Sequence, residues 1–169
     1  MNMTTFDFGF GPVPAHQHPN GGGWVADTAK VVETAYVGPD ALVYGNAQVL
    51  DNAQVYCNAK VLDNAIVSDN AQVFDNAEVF GKAEVYGKAE VYGKSWVSGY
   101  AQVYGKARVS GYALVYDHAE VSDNAFVSDN AFVSGYAKVS GNVLVSGDDT
   151  NEDIFIEMKG KRYKLVEVE

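Results

Sequence analysis

The sequence predicts an all-β solenoid, in which a short strand and a tight corner repeat along one axis. Val recurs at every sixth position from Val25 to Val145, and Ala stands two positions before nearly every one of these valines, with Ser95 among the few exceptions. A fixed short period is typical of repeat proteins, because each repeat covers its apolar side chains only by stacking on its neighbours. At 169 residues, the chain fits one elongated domain.

The first segment, residues 1–22, precedes the repeat. Glycine and proline are frequent in it, and both residue types disfavour a helix or a central strand. We therefore predict an irregular N-terminal leader that covers the first coil. His16 and His18 lie in this leader with one residue between them, which is a weak metal-binding motif.

Residues 23–148 carry the repeat Val-x-[Asp/Gly]-[Asn/Lys/Tyr]-Ala-x. Side chains alternate along a strand, so each Val should point inward and its two neighbours outward. One of the two corner residues must take a positive φ, which glycine adopts freely and asparagine tolerates. Lys or Tyr at the second corner position follows Gly, whereas Asn usually follows Asp. Asp117-His118 departs from this rule, so we expect local strain there, or His118 in the left-handed region.

The last segment, residues 149–169, alternates apolar and polar residues in two runs, 154–156 and 163–168, which are separated by Lys159-Gly160-Lys161. This pattern predicts a β-hairpin. We expect the hairpin to close the C-terminal end, since an uncovered last coil would offer unpaired strand edges to other chains.

The hexads Ala-x-Val-x-Asp-Asn and Ala-x-Val-x-Gly-Lys resemble the hexapeptide repeat of left-handed parallel β-helix proteins, a family that includes many acyltransferases. The similarity covers the whole repeat, from Val25 to Val145. It implies a triangular prism of about seven coils with three hexads each, a left-handed coil and a trimeric assembly. The pattern also resembles hexapeptide-repeat proteins of bacteriophages and gut bacteria, so a phage origin is part of the hypothesis.

With three hexads per coil, the outward residues fall on three faces of unequal character. The face around Val31 is polar, and the face around Val25 is apolar. Large exposed apolar patches mark interfaces, and three copies of a three-sided prism close about a threefold axis, so we predict a homotrimer. The predicted interface, called here the apolar stripe, consists of Trp24, Leu42, Tyr44, Leu62, Phe80, Trp96, Leu114, Tyr116 and Phe132.

The net charge of −10 disfavours direct binding to nucleic acid or to an anionic membrane. The sequence contains no apolar run of the kind found in signal peptides or membrane spans, so we expect a cytoplasmic protein. Cys57 is the only cysteine, which excludes an intrachain disulfide framework.

A basic band in the middle coils is the predicted ligand site, where grooves between subunits would hold a small anion such as a nucleotide. Tyr100, His118 and Tyr136 should stack above Lys82 at one corner. The alternative is that these lysines are ordinary solvated corner residues. The candidate ligand-binding residues are Lys82, Lys88, Lys94, Tyr100, Lys106, Arg108, His118 and Tyr136.

An enzymatic role has weaker support. The hexapeptide acyltransferases use a general-base histidine and a loop that interrupts the repeat, but no hexad here is lengthened. His118, the only histidine in the repeat, is a candidate base, yet it occupies a corner position where Lys, Tyr and Asn also occur. We predict neither a metal nor a cofactor, since a three-histidine site would have to draw on His16, His18 and His118 alone.

The sequence thus favours a non-catalytic homotrimeric scaffold or binding module that engages a small anion or a host protein. An acyltransferase with a CoA-type donor is the second hypothesis. The third is an acidic prism that imitates nucleic acid, although the lysine band interrupts its rows of carboxylates. Those rows consist of Asp51, Asp63, Asp69, Asp75, Asp123 and Asp129.

Overall fold

A computed structural model describes residues 4–147, 154–158 and 161–164 of the chain. It is an all-β solenoid of about seven turns with three parallel sheets arranged as a triangle, which confirms the predicted architecture. Within the described residues, no helix has the length and apolar character needed to cross a membrane.

Short strands follow one another along the described part of the chain, most of them two residues long. Their bounds are β1 Thr5–Asp7, β2 Pro12–Gln17, β3 Trp24–Ala26, β4 Lys30–Val31, β5 Tyr36–Val37, β6 Leu42–Val43, β7 Gln48–Val49, β8 Gln54–Val55, β9 Lys60–Val61, β10 Ile66–Val67, β11 Gln72–Val73, β12 Glu78–Val79, β13 Glu84–Val85, β14 Glu90–Val91, β15 Trp96–Val97, β16 Gln102–Val103, β17 Arg108–Val109, β18 Leu114–Val115, β19 Glu120–Val121, β20 Phe126–Asp129, β21 Phe132–Val133, β22 Lys138–Val139, β23 Val143–Gly147, β24 Ile154–Met158 and β25 Lys161–Lys164.

Every third strand of the solenoid belongs to the same sheet. The first sheet has the order β1-β2-β3-β6-β9-β12-β15-β18-β21, the second β22-β19-β16-β13-β10-β7-β4, and the third β25-β24-β23-β20-β17-β14-β11-β8-β5. Within the coils the pairing is parallel, and valines eighteen residues apart are partners, as in Val79 with Val97. Columns of equivalent residues therefore run along the prism axis.

The core consists of the Val and Ala of each hexad, as predicted. From Ala35 to Ala131 these residues are fully buried. Ser95 replaces one alanine and is equally buried, and its hydroxyl donates to the carbonyl oxygen of Tyr92 at 2.8 Å. Branched Val packs on the sheet surface, and Ala is small enough to fit at the corner.

The corners correct one prediction. From Gly45 to Gly141, the residue with positive φ is the first corner residue, either Gly or, in most other corners, Asp; the second residue, often Asn, does not take this conformation. Asp is favoured because its carboxylate accepts a hydrogen bond from the next coil, as Asp69 does from the Gly87 N–H at 2.9 Å. Asp117 follows the same pattern with φ 60°, and His118 does not take a positive φ. The prediction that this corner differs from the others was therefore wrong.

The N-terminal leader is also different from the irregular segment predicted. β1 and β2 form an antiparallel hairpin, and β2 pairs antiparallel with β3 of the first coil. Gly9 and Gly11 lie in the connection with positive φ. Proline is accommodated in β2 because pairing uses the Pro14 carbonyl oxygen, which accepts from the Asp27 N–H at 3.0 Å.

The predicted C-terminal hairpin is present. β24 pairs antiparallel with both β23 and β25, and it extends the third sheet beyond the last coil. β25 ends at Lys164. The remainder of the predicted second strand, 165–168, lies outside the described residues.

Candidate functional site

The N-terminal hairpin covers the first part of the apolar stripe. Phe6 stacks on Trp24 with ring centroids 4.5 Å apart, and Phe8 lies 5.0 Å from Tyr44. Leu42 packs in the same cluster. Burial raises the pKa of the Tyr44 hydroxyl. Three residues predicted for the trimer interface, Trp24, Leu42 and Tyr44, are therefore partly covered by their own chain.

Sequence reasoning missed this cover, although a signal for it is present. Phe6, Phe8 and Phe10 alternate with small or polar residues, which is the pattern of a half-buried strand. The glycines and prolines around them instead indicate an irregular segment, which is why the hairpin was not predicted. The hairpin does not reach the rest of the apolar stripe, which we call the open stripe. It consists of Leu62, Phe80, Trp96, Leu114, Tyr116 and Phe132.

Trp96 is the most exposed residue of the open stripe, with 47% of its surface accessible. It lies between two grooves. One, of about 470 Å³, is lined by Asn76, Lys94, Trp96, Tyr112 and Leu114. The other, of about 270 Å³, is lined by Phe80, Trp96, Ser98, Leu114 and Tyr116. We call the larger one the Trp96 groove.

A cation borders the Trp96 groove. The Lys94 ammonium lies 5.1 Å from the centre of the Tyr112 ring and donates to the Tyr112 hydroxyl at 3.2 Å. The sequence had assigned Lys94 to an anion site and Trp96 to a subunit interface. The structure brings the two side chains to one groove, together with Asn76 and Tyr112. Asn76 lies one coil before Lys94 and Tyr112 one coil after it, at the same corner of the prism.

The predicted aromatic column is present at another corner. Tyr100 stacks on His118 at 5.0 Å, and His118 on Tyr136 at 4.9 Å with ring planes 3° apart. Below them, the Lys82 ammonium lies 4.9 Å from the centre of the Tyr100 ring. Their spacing of eighteen residues places these side chains one coil apart, which accounts for the stack. Whether the column binds a ligand stays a prediction.

The remaining basic residues of the predicted ligand site are not brought together in one chain. Lys82 precedes the second sheet, Lys94 the first, and Lys88 and Lys106 the third, so the four lysines lie on three different edges of the prism. Arg108 lies on the third sheet, with its guanidinium 4.4 Å from the centre of the Phe126 ring.

The two histidines of the leader have separate partners. His16 Nδ1 lies 2.8 Å from a carboxylate oxygen of Asp27, and His18 Nδ1 lies 3.1 Å from the carbonyl oxygen of Asn20. His16 is exposed and His18 is buried. No group of three or more side chains suited to metal binding occurs in the part of the chain that the structure describes.

Comparison with known families gives one match over a short region. Residues 101–117 match the family described as the YdcK beta-solenoid repeat. This region spans β16, β17 and β18, which is about one coil and includes Tyr112 and Leu114 of the Trp96 groove. A comparison with curated proteins gives no match. The family comparison thus supports a β-solenoid repeat in this region.

Proposed function

We propose that the chain is a non-catalytic scaffold or binding module that assembles as a homotrimer through the open stripe and engages a small anion or a host protein. The observation that carries this proposal is the exposure of Trp96 in a mainly apolar face of one sheet, which the Lys60–Glu78 ion pair interrupts beside Trp96. Left-handed coiling, a cytoplasmic location and a phage origin belong to the same proposal, and they rest on the hexapeptide resemblance and the composition.

The unequal cover of the apolar stripe supports assembly. The hairpin aromatics pack on the stripe at the first two coils, whereas Trp96, further along, is exposed among half-buried neighbours such as Phe80 and Leu114. Burial of apolar surface contributes roughly 25 cal/mol per Å². A second copy placed against this face would bury it, and three prisms joined in this way form a closed ring.

Sedimentation equilibrium tests the assembly. We expect a particle of three times the 18.2 kDa of one chain. Trp96→Glu places a charge in the proposed interface and should give monomers. Gln54→Glu is the matched control, since it adds the same charge at an exposed position on the third sheet, outside the stripe, and it should leave the trimer intact. A monomeric unmodified protein would contradict the proposal.

Native mass spectrometry of protein purified from its source addresses the partner. A small molecule retained by the trimer would support the anion-binding form of the proposal, and a second polypeptide of defined mass would support the host-protein form. An acyl carrier retained together with acyl transfer to an acceptor would contradict the non-catalytic assignment.

A further inference from the structure

We propose that the Trp96 groove binds a small molecule with a planar apolar body and a single anionic group, such as an aromatic carboxylate. This inference rests on the proposed function and deepens it, because Trp96 and Leu114 belong both to the open stripe and to this groove, so that the ligand and a second subunit compete for the same apolar wall. All lining residues come from one chain, so the groove is complete in a monomer, and ligand binding is measured on a monomeric variant.

The walls of the groove supply the apolar contact. Trp96 and Leu114 are partners on neighbouring parallel strands, so their side chains stand side by side on the sheet. Tyr112, which is 58% exposed, also lines the groove. Indole and phenol faces favour a flat ring, which stacks against them at small entropic cost.

The charge of the groove favours an anion. No carboxylate among the described residues lies within ion-pair distance of the Lys94 ammonium. Two carboxylates of the preceding coil have other partners: Glu78, beside Trp96 on the sheet, pairs with Lys60 at 2.9 Å, and Asp75 accepts from the Gly93 N–H at 3.2 Å. Lys94 is therefore an available cation beside an apolar surface in an otherwise acidic protein.

The Lys82–Tyr100 pair shows what distinguishes the Trp96 groove. Its geometry is nearly the same, with the ammonium 4.9 Å from the ring centre and 3.1 Å from the hydroxyl. However, the neighbouring groove is lined mainly by glycine, asparagine and the Asp63 carboxylate. It lacks the tryptophan and leucine wall, so of these two grooves the Trp96 groove is the one that combines a cation with an apolar surface.

Fluorescence titration of the full-length chain tests the ligand class. Trp24→Phe leaves Trp96 as the only tryptophan, and the probe is 1-naphthoate, with the neutral 1-naphthalenemethanol for comparison. We expect saturable quenching of Trp96 by 1-naphthoate and about tenfold weaker binding of the alcohol, since a hydrogen bond to a charged group contributes on this scale. Equal affinity for the two probes, or no saturable quenching, would overturn the proposal.

Substitutions then locate the cation. Lys94→Gln should weaken 1-naphthoate binding about tenfold and leave the affinity for the alcohol unchanged. Lys30→Gln makes the same change in net charge on an exposed residue of the second sheet and should have no effect. A loss for Lys82→Gln equal to that for Lys94→Gln would place the anion at the other edge and overturn the assignment.

The result can be separated from the assembly test. The titrations are made in a Leu62→Glu background, which places a charge in the open stripe outside the groove and should give monomers with Trp96 accessible. Absence of saturable quenching in this background would exclude the ligand class and leave a trimer of the unmodified chain standing. If the unmodified chain is itself a monomer and binds 1-naphthoate with the predicted preference, the trimer is excluded and the ligand site stands.

Discussion

Phe6 stacks almost parallel on Trp24, with ring centroids 4.5 Å apart and planes 19° apart, across the junction between the N-terminal hairpin and the first coil. Phe8 lies against Phe6 in an edge-to-face contact at 4.9 Å and is buried. The hairpin thus closes the first coil of the solenoid from the side, and the stability of this end depends on aromatic contacts within the chain.

Removal of the Phe6 ring should expose Trp24. We expect Phe6→Ala to lower the free energy of unfolding by about 2 kcal/mol, from lost burial and lost stacking, and to shift the Trp24 emission to longer wavelength in a Trp96→Phe background. Urea unfolding and fluorescence measure both effects. Phe10→Ala, which removes an aromatic ring that is 63% exposed, should cost much less; an equal cost would contradict the role given to Phe6.

The hairpin should also respond to acid. The Asp7 carboxylate accepts hydrogen bonds from the Gly9 and Gly11 N–H groups at 2.8 and 2.9 Å, which hold its pKa below the ordinary value. A lowered folded-state pKa contributes stability that is complete above the ordinary aspartate value of about 3.9. This stability is lost as the pH falls through the lowered value.

Trp24 emission in the Trp96→Phe background reports this acid transition. We expect a shift to longer wavelength below the ordinary aspartate pKa in the parent protein. Asp7→Asn should lack this acid-induced shift, and its Trp24 emission should already lie at longer wavelength at neutral pH because the hairpin is less stable. Asp40→Asn, in the exposed corner between β5 and β6, is the control and should keep the transition. An unchanged transition in Asp7→Asn would refute the role of this carboxylate.

The corner aspartates combine an unfavourable backbone conformation with a favourable hydrogen bond. Asp69 has φ 60° and accepts from the Gly87 N–H. Asp69→Ala keeps the strained backbone and loses the acceptor, so we expect a loss of about 1 kcal/mol. Asp69→Gly loses the acceptor but relieves the backbone, and its stability should stay close to that of the parent. Urea unfolding compares the two variants. An equal loss of unfolding free energy in Asp69→Ala and Asp69→Gly would contradict this prediction, because it would show that the lost hydrogen bond matters more than the backbone conformation.

Cys57 is the one described residue with positive φ that is neither Gly nor Asp. A left-handed conformation costs an ordinary residue about 1–2 kcal/mol. Glycine removes this cost, but its unfolded chain has more conformational entropy, which offsets part of the gain. We therefore expect Cys57→Gly to raise the free energy of unfolding by about 1 kcal/mol. Cys57→Ala retains a Cβ atom and should give no such gain. Calorimetric melting of the two variants under reducing conditions compares them directly.

Much of the fold was accessible from the sequence because its cause is local and periodic. Inward Val follows from side-chain alternation on a strand, and the burial of Ala35 to Ala131 with their valines confirms it. The stack of Tyr100, His118 and Tyr136 follows from the eighteen-residue coil. In these cases, residues that are a fixed number of positions apart in the sequence are neighbours in the structure.

Other features depended on contacts that the repeat pattern does not specify. The pairing of β2 with β3 depends on the leader folding back on the first coil. The left-handed position of the first corner residue goes with a hydrogen bond to a backbone N–H one coil later, as in Asp69. Asn76, Lys94 and Tyr112 share the eighteen-residue period, but the groove that they form with Trp96 and Leu114 depends on side-chain packing.

By itself, the sequence determined a solenoid with Val and Ala inside, because a strict six-residue period stacks these apolar side chains in repeated coils. The three sides and the seven coils were implied by the resemblance to hexapeptide-repeat proteins. Only the tertiary structure decided which part of the apolar stripe is exposed. That outcome depends on where the Phe6 and Phe8 rings pack, and this is a long-range contact that the repeat does not encode.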